Sequence, residues 1–303
     1  MGKTTMRTMT QTDKVKAAVQ AGCKTIQAVF DFTGAGDIPR PSIRRVLGQG
    51  AKKGIFKRVD TGIYTLTTTE GETRAYIECA KAEDALPRLA AAGNKYDMVF
   101  LDIAYFSKGL IGGNRGIKKY DFLYPEQFAA IMREVYKMMR TDDSHVYVML
   151  SQAPSVQMDM HKYIFAALES GFKEVVNDGR YYKTYKDGSP VTNVKGRKAA
   201  SERLILLSRS GKVRECEAPL QMTFTCERPP VATSYPTQKA EPFITQLIRQ
   251  STFENDVILD PCAGSGVMGK CGLLLNRVVH MVEVLDSAIQ QFILPKIQPF
   301  ILQ

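Results

Sequence analysis

The sequence predicts an α/β fold built on a mostly parallel sheet, and three features carry that prediction. Three short, largely apolar runs each end in an acidic residue, at 98–102, 257–260 and 278–283. A glycine-containing turn follows the second run directly. Segments with helical periodicity separate the runs, as in strand–helix–strand units. Buried parallel strands have this pattern, and their carboxyl ends meet at one edge of a sheet, where ligands bind.

Residues 260–266, Asp-Pro-Cys-Ala-Gly-Ser-Gly, are the most informative segment. Its glycines allow the backbone to approach a ligand without obstruction by Cβ atoms. Glu283 ends the next strand, 17 residues past Gly266, where a nucleotide-like cofactor presents its ribose hydroxyls. The loop is not Gly-x-Gly-x-x-Gly and lacks the Gly-Lys-Ser/Thr of a phosphate loop. A phosphate-free cofactor such as S-adenosylmethionine therefore fits better than NAD or ATP. The alternative is an ordinary strand–loop–helix turn.

Periodicity predicts the remaining elements in order along the chain. Further strands are expected at 76–79, 145–150, 172–176 and 202–208. Helices are expected at 83–93, 124–139 and 158–170. The cofactor loop comes after most of these elements, so strands that precede it in the chain must complete the sheet.

Five elements, in the same order along the chain, resemble those of the β-class DNA amino-methyltransferases, which modify adenine N6 or cytosine N4. Residues 83–86 resemble the family's Gly-Asp element, 101–105 its Asp-Pro-Pro-Tyr, 235–240 its His-Pro-Thr-Gln-Lys-Pro, 260–266 its Asp-Pro-Phe-x-Gly-Ser-Gly, and Glu283 its ribose-binding acid. The resemblance covers roughly residues 72–290. It implies a Rossmann-like methyltransferase sheet with a circularly permuted motif order. It also implies an S-adenosylmethionine site formed by Asp84, Lys239, Asp260, Pro261, Cys262, Ala263, Gly264, Ser265, Gly266 and Glu283.

The same resemblance assigns catalysis to Asp102, Ile103, Ala104 and Tyr105. An exocyclic amino group is a poor nucleophile, because its lone pair is delocalised into the ring. The Asp102 carboxylate and the Ile103 carbonyl would accept its two N–H bonds and draw the nitrogen toward tetrahedral geometry. Tyr105 would stack on the flipped base. Attack on the sulfonium methyl then needs only alignment and proximity.

The chain departs from the family at Ile103 and Ala104, where the family has two prolines. Proline fixes φ, but Ile and Ala adopt an extended conformation at modest cost, so we expect activity. Asp rather than Ser at position 102 leans the resemblance toward adenine N6. Two alternatives stay open: a cytosine N4 methyltransferase, and an inactive methyltransferase-like subunit or regulator that binds DNA.

Most of the net charge of +10 lies at the N-terminus, where residues 1–68 hold 12 Lys and Arg against 4 Asp. Such an excess indicates a polyanionic partner. Segments 13–20 and 25–32 are typical of short amphipathic helices, a third helix begins at 41–43, and 54–66 has the alternation and turn of a hairpin. This order resembles a winged helix-turn-helix domain on double-stranded DNA, with candidate contacts at Arg44, Arg45, Lys52, Lys53, Lys57 and Arg58. A small packing domain with a solvated basic face is the alternative.

We therefore predict a winged-helix domain at 1–68 and a methyltransferase domain at 72–303. Within the second domain, residues 177–201 interleave cations with tyrosines, which suits contact with a nucleic-acid backbone and stacking on bases. This segment is the candidate target-recognition loop, and a merely solvated loop is the alternative. A homodimer or a second type of subunit is compatible with the sequence.

Composition indicates the compartment and argues against a metal. The chain has no run of 18 apolar residues and no hydrophobic signal region at its N-terminus, so we expect a cytoplasmic protein that does not enter membranes. If its source is a bacterium or a phage, we expect it to be associated with the nucleoid. Its six cysteines form no close ligand pairs, and only three histidines are present, so no metal site is expected.

Overall fold

The computed structural model describes residues 57–60, 63–67, 73–104, 123–152, 157–191, 201–230, 235 and 237–300. Ten strands are described: β1 (Lys57–Asp60), β2 (Ile63–Thr67), β3 (Thr73–Cys79), β4 (Met98–Leu101), β5 (His145–Ser151), β6 (Lys173–Thr184), β7 (Ser201–Ser208), β8 (Thr223–Glu227), β9 (Val257–Asp260) and β10 (Val278–Glu283). The helices are α1 (Ala82–Ala91), α2 (Pro125–Met138), α3 (Gln157–Glu169), α4 (Glu241–Arg249), α5 (Val267–Leu274), α6 (Asp286–Ala288) and α7 (Leu294–Ile297). A π-helical turn, Ile289–Ile293, joins the last two, and a 3-10 turn, Gln298–Phe300, follows them.

One mixed sheet contains all the described strands, in the order β1-β2-β3-β10-β9-β4-β5-β7-β6-β8. The five strands from β3 to β5 are parallel, and β7 pairs antiparallel with both β5 and β6. From β9 the chain passes through α5 to β10, whereas from β4 it passes through α2 to β5. These connections diverge between the neighbours β9 and β4. That point is the topological switch point, where open α/β sheets bind ligands.

Helices cover both faces of the sheet. Met98 and Phe100 of β4 pack in a core with residues of α4 and α5, while Val99 and Leu101 pack in a second core with residues of α1, α2 and α3. Successive side chains of a strand point to opposite faces, so a strand covered on both sides is apolar throughout. This explains the uninterrupted apolar run at 98–101.

Strand β6 is longer than predicted. The expected strand at 172–176 continues through Thr184, because β7 pairs with one side of residues 180–182 and β8 pairs with the other side of 180–184. Residues 177–184 of the candidate target-recognition loop therefore belong to the sheet. Tyr181 is fully buried there and is not available to stack on a base. Neither β8 nor α4 was predicted from the sequence.

The basic hairpin forms as predicted, from β1 and β2. However, β2 also pairs antiparallel with β3, so the hairpin continues the sheet across the segment where the domains were expected to divide. The helices expected at 13–20, at 25–32 and from 41 lie outside the described residues, and the winged-helix domain stays a prediction. None of the described helices is long and apolar enough to cross a membrane.

Candidate active site

Three acidic residues that the sequence singled out lie at the same edge of the sheet. Asp102 directly follows β4, Asp260 ends β9, and Glu283 ends β10. These three strands are parallel neighbours, so their carboxyl ends are about 4.8 Å apart from one strand to the next. Asp260 stands between the other two and is influenced by the charges of both. The structure therefore brings these three predicted site residues together at the switch point.

The loop between β9 and α5 turns at two glycines. Gly264 has a φ of +48° and Gly266 a φ of +70°, in the left-handed region that favours glycine. A Cβ atom on Gly264 would lie 3.2 Å from the ring of Tyr235, and one on Gly266 would lie 3.0 Å from Cα of Ile293. Both positions thus need glycine for the backbone conformation, and both approach a neighbour closely.

Glu283 holds this loop against the end of β10. The backbone N–H of Gly264 donates to its Oε2 at 2.7 Å, and the N–H of Leu285 donates to its Oε1 at 2.9 Å. Burial raises the pKa of Glu283, although these hydrogen bonds oppose the rise. Each carboxylate oxygen has a second lone pair, so the group can accept additional hydroxyl donors.

Asp260 is almost fully buried beneath the loop. The N–H of Cys262 donates to its Oδ1 at 3.3 Å. Burial raises the pKa of Asp260 to about 8; the Cys262 N–H opposes the rise and the charge of Asp102 adds to it. At neutral pH this carboxyl is therefore mostly protonated and can donate as well as accept a hydrogen bond.

Lys239 was predicted to bind the cofactor, but it contacts the residue predicted for catalysis. Its Nζ lies 2.6 Å from Oδ2 of Asp102. The Lys239 side chain is 5% exposed, whereas that of Asp102 is 24% exposed and so remains accessible to a substrate. Among the described residues, no other side chain donates a hydrogen bond to Asp102.

Glu202, in β7, also belongs to this cluster of charges, although no role was predicted for it from the sequence. Nζ of Lys239 lies 2.9 Å from its Oε2, and Lys183 of β6 forms an ion pair with its Oε1. Burial opposes ionisation of Glu202, but the two lysines outweigh it and lower its pKa. The signal in the sequence was weak, a single acid at the start of an apolar strand.

The chain beyond Asp102 is held by hydrogen bonds where the family has prolines. The N–H of Leu123 donates to the carbonyl of Ala104 at 2.9 Å, and the hydroxyl of Tyr163 donates to the carbonyl of Leu123 at 2.6 Å. Ile103 is buried, with 3% of its surface exposed. Tyr105 lies outside the described residues.

Lys296 is a second residue that the sequence analysis missed. From α7, its Nζ donates to the carbonyl of Ser265 at 2.6 Å and to Oε1 of Gln238 at 2.8 Å. Burial lowers the pKa of Lys296 to about 8. This lysine thereby ties the cofactor loop to the segment that carries Lys239.

Some predicted site residues are not brought into this arrangement. The side chain of Asp84 is exposed on the first turn of α1, and it forms neither a hydrogen bond nor an ion pair with another residue that the structure describes.

Four of the predicted DNA contacts lie outside the described residues: Arg44, Arg45, Lys52 and Lys53. The other two, Lys57 and Arg58, lie in the edge strand β1. In the described part of the chain, no cluster of His, Cys, Asp and Glu is suited to hold a metal.

An α/β sheet whose central strands are parallel, with an acidic, glycine-containing loop at its switch point, defines a class of nucleotide-type ligand-binding proteins. The family model for N6/N4 DNA methylases matches residues 96–293. The chain therefore belongs to this family of DNA methylases, which confirms the family predicted from the motif order.

Solved structures share the fold at low sequence identity. The M1.HpyAVI–SAM complex is 16% identical with a TM-score of 0.52, and the match covers 72% of this chain and 96% of that one. The cytosine-N4-specific PvuII DNA methyltransferase is 14% identical with a TM-score of 0.55, and the match covers 77% of this chain and 87% of that one. No curated protein sequence matches the chain.

Proposed function

We propose that this chain transfers a methyl group from S-adenosylmethionine to an exocyclic amino group in double-stranded DNA, at adenine N6. One observation carries the proposal. Asp102 and the loop 260–266 follow neighbouring parallel strands on the two sides of the switch point. A base held at Asp102 and a cofactor held at the loop would therefore share one edge of the sheet.

The residues present fit the proposed cofactor. The left-handed backbone at Gly264 and Gly266 folds the loop onto Tyr235 and Ile293, so that the peptide groups of the loop would border a bound ligand at the edge of the sheet. The Glu283 carboxylate stands at the end of β10 with lone pairs available for the two hydroxyls of a ribose. Neither the loop nor its flanks contain the Gly-Lys-Ser/Thr of a phosphate site, in agreement with a ligand that carries no phosphate.

The arrangement at Asp102 suits activation of an amino group. When bound, S-adenosylmethionine supplies an electrophilic methyl group on a sulfonium. The partly exposed Asp102 carboxylate accepts one N–H bond of the target amino group, and the carbonyl of Ile103 accepts the other. Both acceptors would localise the lone pair on the attacking nitrogen. As the N–C bond forms, the bond from the methyl carbon to the sulfonium sulfur would break, S-adenosylhomocysteine would leave as a neutral thioether, and the methylated amino group would lose one proton to solvent. Lys239 keeps the carboxylate in place during this step.

Adenine is the proposed base because position 102 is Asp rather than Ser, by the family resemblance. Product analysis tests this directly. Unmethylated DNA is incubated with the protein and methyl-deuterated S-adenosylmethionine, then digested to nucleosides for mass spectrometry. We expect deuterated N6-methyladenine with the wild-type chain and at least about 100-fold less of it with Asp102→Ala over the same time. Deuterated N4-methylcytosine in its place would move the assignment to the second base that the family modifies.

An inactive DNA-binding subunit is the rival function, and the observation that favours it is Ile103-Ala104 in place of two prolines. The hydrogen bond from Leu123 to Ala104 argues for activity, because it restrains the backbone that the prolines would otherwise hold. Absence of any deuterated nucleoside over a panel of DNA sequences, with intact cofactor and DNA binding, would establish the rival function.

A further inference from the structure

Four charged side chains form a chain of contacts that leads away from Asp102. Lys239 bridges Asp102 and Glu202 with its ammonium, at 2.6 Å and 2.9 Å, and Lys183 contacts the opposite oxygen of Glu202. The residues come from four places in the fold: the end of β4, the segment before α4, β7 and β6. We call this set the ion-pair network.

The backbone beside Lys239 is also fixed. The N–H of Ala240 donates to the hydroxyl of Tyr181 at 3.1 Å, and the Tyr181 ring stacks on Phe243 of α4 at 4.4 Å between centroids. Because both aromatic residues are fully buried, the main chain at 239–240 has a fixed position. What remains to be set is the direction of the Lys239 ammonium, and its two carboxylate partners set it.

We propose that Glu202 is a positioning residue for methyl transfer, which acts through Lys239 to keep the Asp102 carboxylate aligned and a strong hydrogen-bond acceptor. The inference rests on the proposed function. If the buried Lys239 ammonium had a single carboxylate partner, its full charge would act on that carboxylate and weaken the carboxylate oxygens as hydrogen-bond acceptors. Glu202 divides the charge of Lys239 between two carboxylates. Oδ1 of Asp102 is then left with acceptor strength for the amino group of the base.

The two lysines offset the charges of Asp102 and Glu202, and the four residues come from different elements of the fold. Lys239 and Lys183 favour the ionised form of Asp102, whereas Glu202 disfavours it, and Asp260 and Cys262 face Asp102 from β9 and the following loop. Burial raises the pKa of Asp102 most, and the Glu202 charge adds to the rise. Removing Glu202 and removing Lys239 must therefore shift the titration of Asp102 in opposite directions.

The test compares Glu202→Gln with Lys239→Met and follows Asp102 in two ways. The first readout is the carboxyl ¹³C signal of Asp102 in the full chain without ligands, assigned with Asp102→Asn and titrated with pH. The second readout is the acid limb of the pH profile of kcat/KM for DNA, which reports groups of the free enzyme. Lys239→Arg keeps the positive charge, and Glu134→Gln on α2 removes a carboxylate from a surface ion pair as a matched control.

In Glu202→Gln we expect the Asp102 titration and the acid limb to move to lower pH, with kcat reduced about 10-fold or more, the usual scale for losing a supporting partner of a site residue. Lys239→Met should move both to higher pH. Lys239→Arg should keep the Asp102 titration and the acid limb near their wild-type positions, and Glu134→Gln should change neither of them. In Glu202→Gln the S-adenosylmethionine affinity should change by less than about twofold, because Glu202 contacts Lys239 and not the cofactor loop.

Equal directions for the two variants, or a kcat in Glu202→Gln equal to that of Glu134→Gln, would overturn the inference. If the wild-type chain methylates no DNA, the ¹³C titration still tests whether Glu202 and Lys239 set the pKa of Asp102. Opposite shifts in the two variants would then retain the ion-pair network and reject the proposed function. No shift in either variant would reject the network as well. Melting curves identify a variant that fails to fold. If Glu202→Gln fails to fold, the comparison of Lys239→Arg with Lys239→Met still tests whether the charge at position 239 sets the titration of Asp102.

Discussion

The backbone N–H of Gly264 donates to the carboxylate of Glu283 at 2.7 Å, so the loop after β9 is fastened to the tip of β10 by the residue predicted to bind a ribose. One side chain thus shapes the loop, and we propose that it also receives the ligand. Gly264 can take part because its φ of +48° turns the N–H toward β10.

Two replacements of Glu283 should differ in how far they weaken cofactor binding. Glu283→Ala removes both backbone contacts and the ribose acceptor, so S-adenosylmethionine binding measured by calorimetry should weaken by roughly 1–3 kcal/mol. Glu283→Gln keeps an oxygen acceptor for one N–H, so its loss should be smaller. Equal affinity of wild type and Glu283→Ala would show that the cofactor binds elsewhere.

Gly264→Val should impair both the fold and the cofactor site. The left-handed backbone disfavours a branched residue by about 1–3 kcal/mol, and the new side chain meets the Tyr235 ring. Gly188→Val is the matched control, because Gly188 has a φ of +80° and nothing within 4 Å of its Cβ position. Denaturant titration should show a loss in both variants, whereas cofactor binding should fall only in Gly264→Val. Binding that is preserved in both would contradict a close approach of ligand and loop.

Asp102→Ala should lower turnover by about 100-fold or more, by analogy with the loss of one preorganised hydrogen-bonding group. Cofactor affinity should change less, since Asp102 lies on the side of the switch point where we propose that the base binds. Single-turnover methylation rates and calorimetry on the same preparation provide the two numbers. A rate close to that of the wild type would remove Asp102 from the proposed mechanism.

DNA affinity should depend on the N-terminal cations. Replacing Arg44, Arg45, Lys52 and Lys53 with Ala should weaken binding and flatten the plot of log K against log salt by about 0.9 for each phosphate that is no longer neutralised. A charge-matched control replaces four exposed cations of the described region: Arg133, Lys137, Lys162 and Lys212. If both variants lose the same affinity and slope, the N-terminal segment has no special role in DNA binding.

Truncation is a second test of the same segment, and the sheet determines where to cut. Deleting residues 1–68 would remove β1 and β2 and expose the edge of β3, which pairs with β2. Deletion of 1–56 spares the hairpin. That variant should keep cofactor binding and lose most of the DNA affinity, whereas unchanged DNA affinity would favour a protein partner for this segment.

Stability should fall as the pH drops below neutrality, and His145 provides part of the reason. Burial lowers the pKa of His145 to about 4, with the charge of Arg214 adding to the effect. A histidine with a lowered folded pKa contributes stability above its unfolded value of about 6.5, and this contribution is lost progressively as the pH falls toward 4. The effect is at most about 3 kcal/mol. His145→Gln should be less stable at pH 7 and should show a shallower decline to pH 4.5 in denaturant titrations. A decline as steep as that of the wild type would assign the acid sensitivity to other groups.

The local sequence determined the elements that bury themselves by their own pattern. The apolar runs of β4 and β9, the glycine loop after β9 and the acid at the tip of β10 follow from short-range rules of burial and backbone freedom, and the structure places them as expected. The helices α2 and α3 agree with their predicted bounds to within one residue, because amphipathic periodicity over three or four turns is a strong signal.

Tertiary structure alone decided the contacts between distant segments. β6 extends to Thr184 because β7 and β8 supply hydrogen-bond partners on its two sides, and no local pattern announces those partners. The sequence did not reveal that Lys239, predicted to bind the cofactor, contacts Asp102, and it assigned no role to Glu202, because an ion pair depends on the distance between side chains that lie far apart in the chain. The sequence alone identified the edge of the sheet where the chemistry is proposed; which charges surround Asp102 at that edge followed only from the packing of β6, β7 and α4 against β4.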